Sequence, residues 1–101
     1  MMNKAKADYD SRQIRRMARQ VEAFVDKVIT LSELISTLDG LLSALEGVDV
    51  EWKREFQKQW GVLEDIYANA QDKSLPTIPQ EHLALADKAI AAISRLIAQK
   101  L

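Results

Sequence analysis

Apolar residues recur at spacings of three and four along most of this chain, and the places where that rhythm breaks divide it into four segments. Ile14, Met17, Ala18, Val21, Phe24, Val25 and Val28 fall on one stripe of a helix, where a strand would alternate. Asp10, with Gln13 three residues on, reads as a capping box opening this first helix; a helix reaching further back through the Lys-rich start is the alternative. Thr30 and Glu33 form a second capping box, and Ile29 is placed to staple onto Leu34. Leu31, Leu34, Ile35, Leu38, Leu41, Leu42 and Leu45 then mark the apolar stripe of a second helix, which Gly47 is expected to end in the left-handed conformation. Each buried aliphatic side chain stabilises by ~1.5–3 kcal/mol, while ordering costs ~1–2 kcal/mol per residue, so this stripe needs partner helices.

Asp49 is placed to cap a third helix bearing Trp52, Phe56, Trp60, Leu63, Tyr67 and Ala70 on one face. Asp72 to Pro79 reads as the longest connection, because two prolines interrupt the pattern and push the residues before them out of helical angles. Pro79 suits the first turn of a last helix, whose face is Leu83, Ala86, Ala89, Ile90, Ile93, Leu96 and Ile97. Its alanines allow close approach, so the aromatic third helix is expected against it. Short connections favour antiparallel neighbours, and the expected fold is an all-α, four-helix antiparallel up-down bundle. A three-helix bundle with a long kinked first helix, fused through Ile29 to Leu31, is the rival. Residues 1–9 are expected to be a flexible basic tail and residues 10–101 a single bundle domain.

Composition narrows the chemistry. The 101 residues are 48% hydrophobic and 29% charged, with three Gly and two Pro, which suits one compact core and argues against disorder. The absence of Cys removes disulfides, thiolate metal sites and Cys nucleophiles, and the single histidine, His82, argues against a His-based metal site or a Ser-His triad. The net charge of −1 conceals a gradient. Residues 1–30 carry seven bases against four acids, whereas residues 31–50 carry Glu33, Asp39, Glu46 and Asp49 and no base. The basic start leads into Ser, Arg and Gln without an apolar run, and no apolar stretch approaches the ~20 residues of a membrane span. A cytoplasmic protein without membrane association is expected.

Several enzyme readings fail on particular residues. A dimetal bundle needs Glu-x-x-His pairs, and Pro79 stands three residues before the only histidine. Asp72, Lys73, Ser74 and Leu75 resemble the Asp-Ser-Leu attachment signature of acyl carrier proteins, but Lys73 separates acid from serine and Pro76 blocks the helix that should follow. The stripe Leu34, Ile35, Leu38, Asp39, Leu41, Leu42 and Leu45 resembles the first helix of the all-helical chorismate mutases. That resemblance implies inward arginines for a dicarboxylate, and Ser32 and Ser36 stand where cations are wanted. No cofactor or metal is expected, and a binding protein is favoured over an enzyme. Arg12, Arg15, Arg16 and Arg19 could meet phosphates, but Glu22 and Asp26 continue the same surface, so nucleic acid is disfavoured as a partner.

The outward face of the second helix is unusual. Ser32, Glu33, Ser36, Asp39, Gly40, Ser43 and Glu46 are short or acidic, where a solvated helix normally mixes Glu with Lys. Gly40 in a helix interior costs about 1 kcal/mol relative to Ala and suggests close approach by another chain. Such a face suits a basic partner, or a second copy of this chain packing around Gly40. Trp52 is the expected apolar anchor beside it.

From Ile29 to about Ile97 the pattern resembles the small all-helical immunity proteins of bacterial contact-dependent growth inhibition and other polymorphic toxin systems. The resemblance rests on Ile29, Leu31, Leu34, Ile35, Leu38, Leu41, Leu42 and Leu45, then on Trp52, Phe56, Trp60, Leu63, Glu64, Tyr67 and Ala68. It implies a non-enzymatic inhibitor that covers the active site or substrate groove of a cognate protein toxin, often a nuclease, in the cytoplasm. The expected contact set is Glu33, Ser36, Asp39, Gly40, Ser43, Glu46, Asp49, Glu51 and Trp52, with Glu64 and Asp65. The alternatives are a self-associating structural or regulatory module, with a homodimer around Gly40, and a mutase-like enzyme.

Overall fold

The computed structural model describes residues 4–74 and 76–101, with side-chain environments from residue 8 onward. It contains four helices: α1 (Lys4–Val25), α2 (Leu31–Ala44), α3 (Val50–Asp72) and α4 (Gln80–Ala98). Each helix packs on its two sequence or ring neighbours, α1 on α2, α2 on α3, α3 on α4 and α4 back on α1, and neither diagonal pair meets. This is the four-helix antiparallel up-down bundle, about 50 × 25 × 19 Å. The break at residues 26–30 excludes the fused three-helix alternative.

Local chemistry explains the breaks. α1 closes with Val28 N–H donating to the Ala23 carbonyl at 2.8 Å and Lys27 N–H donating to that of Phe24 at 3.0 Å. That is a Schellman arrangement, with Lys27 (φ 63°) in the left-handed position that usually holds glycine. The Thr30 capping box forms as expected: Glu33 N–H donates to Thr30 Oγ1 at 3.1 Å, and Thr30 N–H donates to Glu33 Oε1 at 3.0 Å. Asp49 caps α3 by accepting from Trp52 N–H at 3.1 Å. Pro79 sits at the N-cap of α4, one residue before the helical turn expected to contain it.

Helix α1 begins at Lys4, so helix occupies residues 4–9 of the stretch expected to be a tail, and residues 1–3 lie outside the described residues. Asp10 therefore stands inside α1 and does not cap it. Its carboxylate is buried and accepts from Glu46 N–H at 2.9 Å and Gly47 N–H at 2.6 Å. One acid on α1 thus ties down the α2–α3 connection. Gly47 is not left-handed either, since no glycine has positive φ. α2 ends at Ala44 with Leu45 extended, and a Cβ at 47 would make a tight contact, 3.2 Å from Asp10 Oδ2, which favours glycine there.

The core draws on every helix. Met17, Leu34, Leu38, Phe56, Leu63 and Ile93 are wholly buried. The aromatic α3 packs on α4, where Ala86 and Ala89 are buried, as the sequence implies. Trp52 belongs to this core: it is 4% exposed, its ring centroid lies 5.3 Å from that of Phe56, and its indole N–H donates to the Leu96 carbonyl at 2.8 Å. That carbonyl is an orphan of the helix end, because Lys100 N–H donates to Ile97 instead. Trp52 is therefore not a surface anchor.

Candidate functional site

The surface feature that the sequence singles out lies on α2 and on its border with α3. Glu33, Ser36, Gly40 and Ser43 follow one another at spacings of three and four and are all exposed, forming a ridge down the outside of α2. Asp39, also exposed, stands beside this ridge on the α3 side. Together with Ser43 it lines a groove of about 290 Å³ whose opposite wall is Lys53, Gln57, Trp60 and Gly61 of α3. Trp60 holds the two helices together at the floor, its indole N–H donating to the Ile35 carbonyl at 2.9 Å. Lys53 brings a cation to a border that α2 alone leaves without one, and neither Asp39 nor any other acid pairs with it.

The remaining acids do not form one patch. Glu46 is exposed on the α2–α3 connection, with its backbone held by Asp10. Glu64 follows Gly61 by three residues and Trp60 by four, so it lies on the same face of α3 one turn beyond the residues that line the groove, and Asp65 turns about 100° further away from α2. Glu51 lies two residues, or about 200°, from Lys53 and so points to the other flank of α3. Asp49 is occupied: Lys100 Nζ stands 3.0 Å from its Oδ1 and 6.0 Å from the Trp52 ring centroid. The Lys100 hydrogen bond, reinforced by Trp52 N–H, holds the Asp49 carboxyl below the usual carboxylate range. Its stabilising contribution is present above the ordinary Asp range and is lost as pH falls through that lowered value.

Among the described residues Lys100–Asp49 is the only ion pair, so Glu33, Asp39, Glu46, Glu51, Glu64 and Asp65 have no cationic partner among those residues. Glu33 is nonetheless engaged in the Thr30 capping box. No arginine of α1 forms an ion pair with a carboxylate of the ridge. Arg16 and Arg19 line a separate cleft of about 150 Å³ with Thr37 and Leu41, on the α1 side of α2. No group of three or more metal-ligating side chains occurs among the described residues. His82 is half-buried in the first turn of α4.

The two interior glycines of this region, Gly40 and Gly61, share a property. A Cβ added to either would meet nothing within 4 Å, and neither has positive φ. Nothing within the chain requires glycine at these sites. Gly40→Ala and Gly61→Ala should each therefore stabilise the fold by roughly 0.5–1 kcal/mol, read as a higher denaturant midpoint at unchanged m. Destabilisation by either would show that the groove is tighter than described. Lys53 and Gly61 escape a reading of α2 by itself, because only the α2–α3 packing brings them opposite Asp39. Their i, i+4 relation to Gln57 was the available signal. Comparison of the chain with protein-family models, with characterised proteins and with solved structures gives no match.

Proposed function

We propose that this chain is a binding protein of the immunity type, which neutralises a bacterial protein toxin by laying the α2 ridge and its groove against a basic surface of that toxin. The observation that carries the reading is the set of exposed carboxylates on and around α2 that pair with no cation among the described residues: Asp39, Glu46 and, on α3 one turn beyond the groove, Glu64. A nuclease is the favoured toxin class, because its substrate groove must be positive to hold phosphate. An inhibitor of this kind acts in the cytoplasm, where the toxin would reach its substrate. Unpaired acids serve two ends: they speed encounter with a cationic surface, and they repel wrong, acidic partners. Gly40 and Gly61 leave open space on either side of the groove, which suits close approach by a partner's backbone. Trp52, Asp49 and Glu51 drop out of the contact set, being respectively buried, paired with Lys100 and turned to the far flank. Ser36 and Ser43 remain as short hydrogen-bonding groups on the ridge.

The test is protection. Co-expressed with the toxin domain encoded beside it, the chain should restore bacterial growth, and the Asp39→Lys/Glu46→Lys variant should fold with the same circular dichroism and fail to protect. Full protection by that variant, or the absence of any toxin domain in the neighbouring gene, would overturn the reading.

A further inference from the structure

A second surface, remote from the α2–α3 groove, lies at the end of the bundle where α1 turns into α2 and α4 begins. Val25 is 61% exposed and Val28 is 74% exposed, although both continue the apolar stripe that Ile14, Met17 and Val21 bury. Beside them Phe24, Val25, Ile29 and Ile90 line a cleft of about 340 Å³. Leu83, also 40% exposed, precedes Asp87 by one turn and Ile90 by two, on the same edge of α4. Two opposite charges border this apolar cleft, Lys27 from the α1–α2 turn and Asp87 from α4, and they do not pair with each other. Lys27 also occupies a left-handed position where glycine would be easier, so the cation is held there against the backbone preference.

An apolar centre flanked by one positive and one negative group is self-complementary. A two-fold axis lying in the contact plane between them brings each Lys27 onto the partner's Asp87 while the valines and the cleft meet across the axis. A purely acidic or purely basic partner would satisfy only one of the two. We propose that this end of the bundle is a homodimer interface, with the partner copy as the occupant of the Phe24–Ile90 cleft and reciprocal Lys27–Asp87 pairs at its rim. None of the residues that line the α2–α3 groove lines this cleft, so the dimer would leave both grooves free.

Sedimentation of the full chain from about 1 μM to about 1 mM tests this, as dimerisation must follow mass action. A monomer–dimer equilibrium is expected. Lys27→Glu or Asp87→Lys alone should weaken dimerisation about tenfold, since each places like charges opposite one another twice, and the double swap should restore it to within about threefold. Val25→Gln/Val28→Gln should weaken it further without altering the helical content. A chain that stays monomeric throughout, or a dimer indifferent to all these changes, overturns the proposal; the latter would place self-association elsewhere, as around Gly40. Asp39→Lys/Glu46→Lys leaves this equilibrium unchanged, which separates the fate of the dimer from that of toxin binding.

Discussion

Phe56→Ala is expected to be the most damaging single substitution. Phe56 has no exposed surface, sits in α3 where that helix packs on α4, and stacks at a tilt against Trp52. Truncation removes the ring's transfer free energy and leaves a cavity that four helices, tied at both ends by short connections, can only partly collapse. The cost should be about 3–5 kcal/mol, from a total of about 5–15 kcal/mol for a domain of this kind. In urea the midpoint should fall steeply with m unchanged, and Phe56→Leu should recover most of the loss. A cost below about 1 kcal/mol for Phe56→Ala would mean that the α3–α4 seam is loose and that the core is not organised as described.

Asp10→Ala comes second, and for an electrostatic reason. The carboxylate is buried and is the acceptor for two backbone donors, Glu46 N–H and Gly47 N–H, far away in sequence. Hydrogen bonds to a charged acceptor contribute ~1.5–3 kcal/mol, and an unsatisfied donor retains its desolvation cost, so the loss should be about 2–4 kcal/mol. Asp10→Asn should rescue only in part, because its single carbonyl can serve one amide while its NH2 faces the other. Amide hydrogen exchange gives the local readout: Glu46 and Gly47 should lose protection outright in Asp10→Ala, while Leu34 and Leu38, in the middle of the core, exchange only through global opening and should speed up only by as much as global stability falls. Unaltered exchange at residues 46 and 47 would show that the connection is held by something else. Gly47→Ala should be milder, pressing a methyl against Asp10 Oδ2 without removing it.

The same residue shows where sequence reading stops. Periodicity and capping are local properties, so the four helices, the Thr30 capping box and the Asp49 N-cap are all legible within windows of a few residues. Asp10 carries an equally good local signature, followed by Gln13, but its true partners lie 36 and 37 residues away in sequence. Nothing nearby distinguishes a capping carboxylate from one that braces a distant loop. Gly47 is misread for the same reason: what favours glycine there is proximity to Asp10 and not its own backbone angles. Trp52 is half legible. Its spacing with Phe56 marks a core ridge, whereas its expected place as an anchor beside the acids gives way to packing on Phe56 and to the indole N–H bond to the Leu96 carbonyl in the last turn of α4.

Of the candidate site, the α2 half is readable because a helix face without bases is a one-dimensional pattern. Its α3 half is not, since which of Glu51, Lys53 and Glu64 comes to face α2 depends on how α3 rotates in the bundle. That rotation is fixed by the burial of Phe56, Leu63 and Ile66, and it sends Glu51 one way and Lys53 the other.

The central claim is that the unpaired carboxylates beside the α2–α3 groove steer a cationic protein onto this surface. It is tested most directly by stopped-flow association with the proposed toxin partner, measured against ionic strength for the native protein and for Asp39→Lys/Glu46→Lys. The native protein should associate well above the ~10⁵–10⁶ M⁻¹s⁻¹ of unsteered pairs at low salt and slow steeply as salt is added. The variant should associate at least about tenfold more slowly, with a nearly flat salt dependence. Equal association rates and equal salt slopes for the two proteins would contradict the claim.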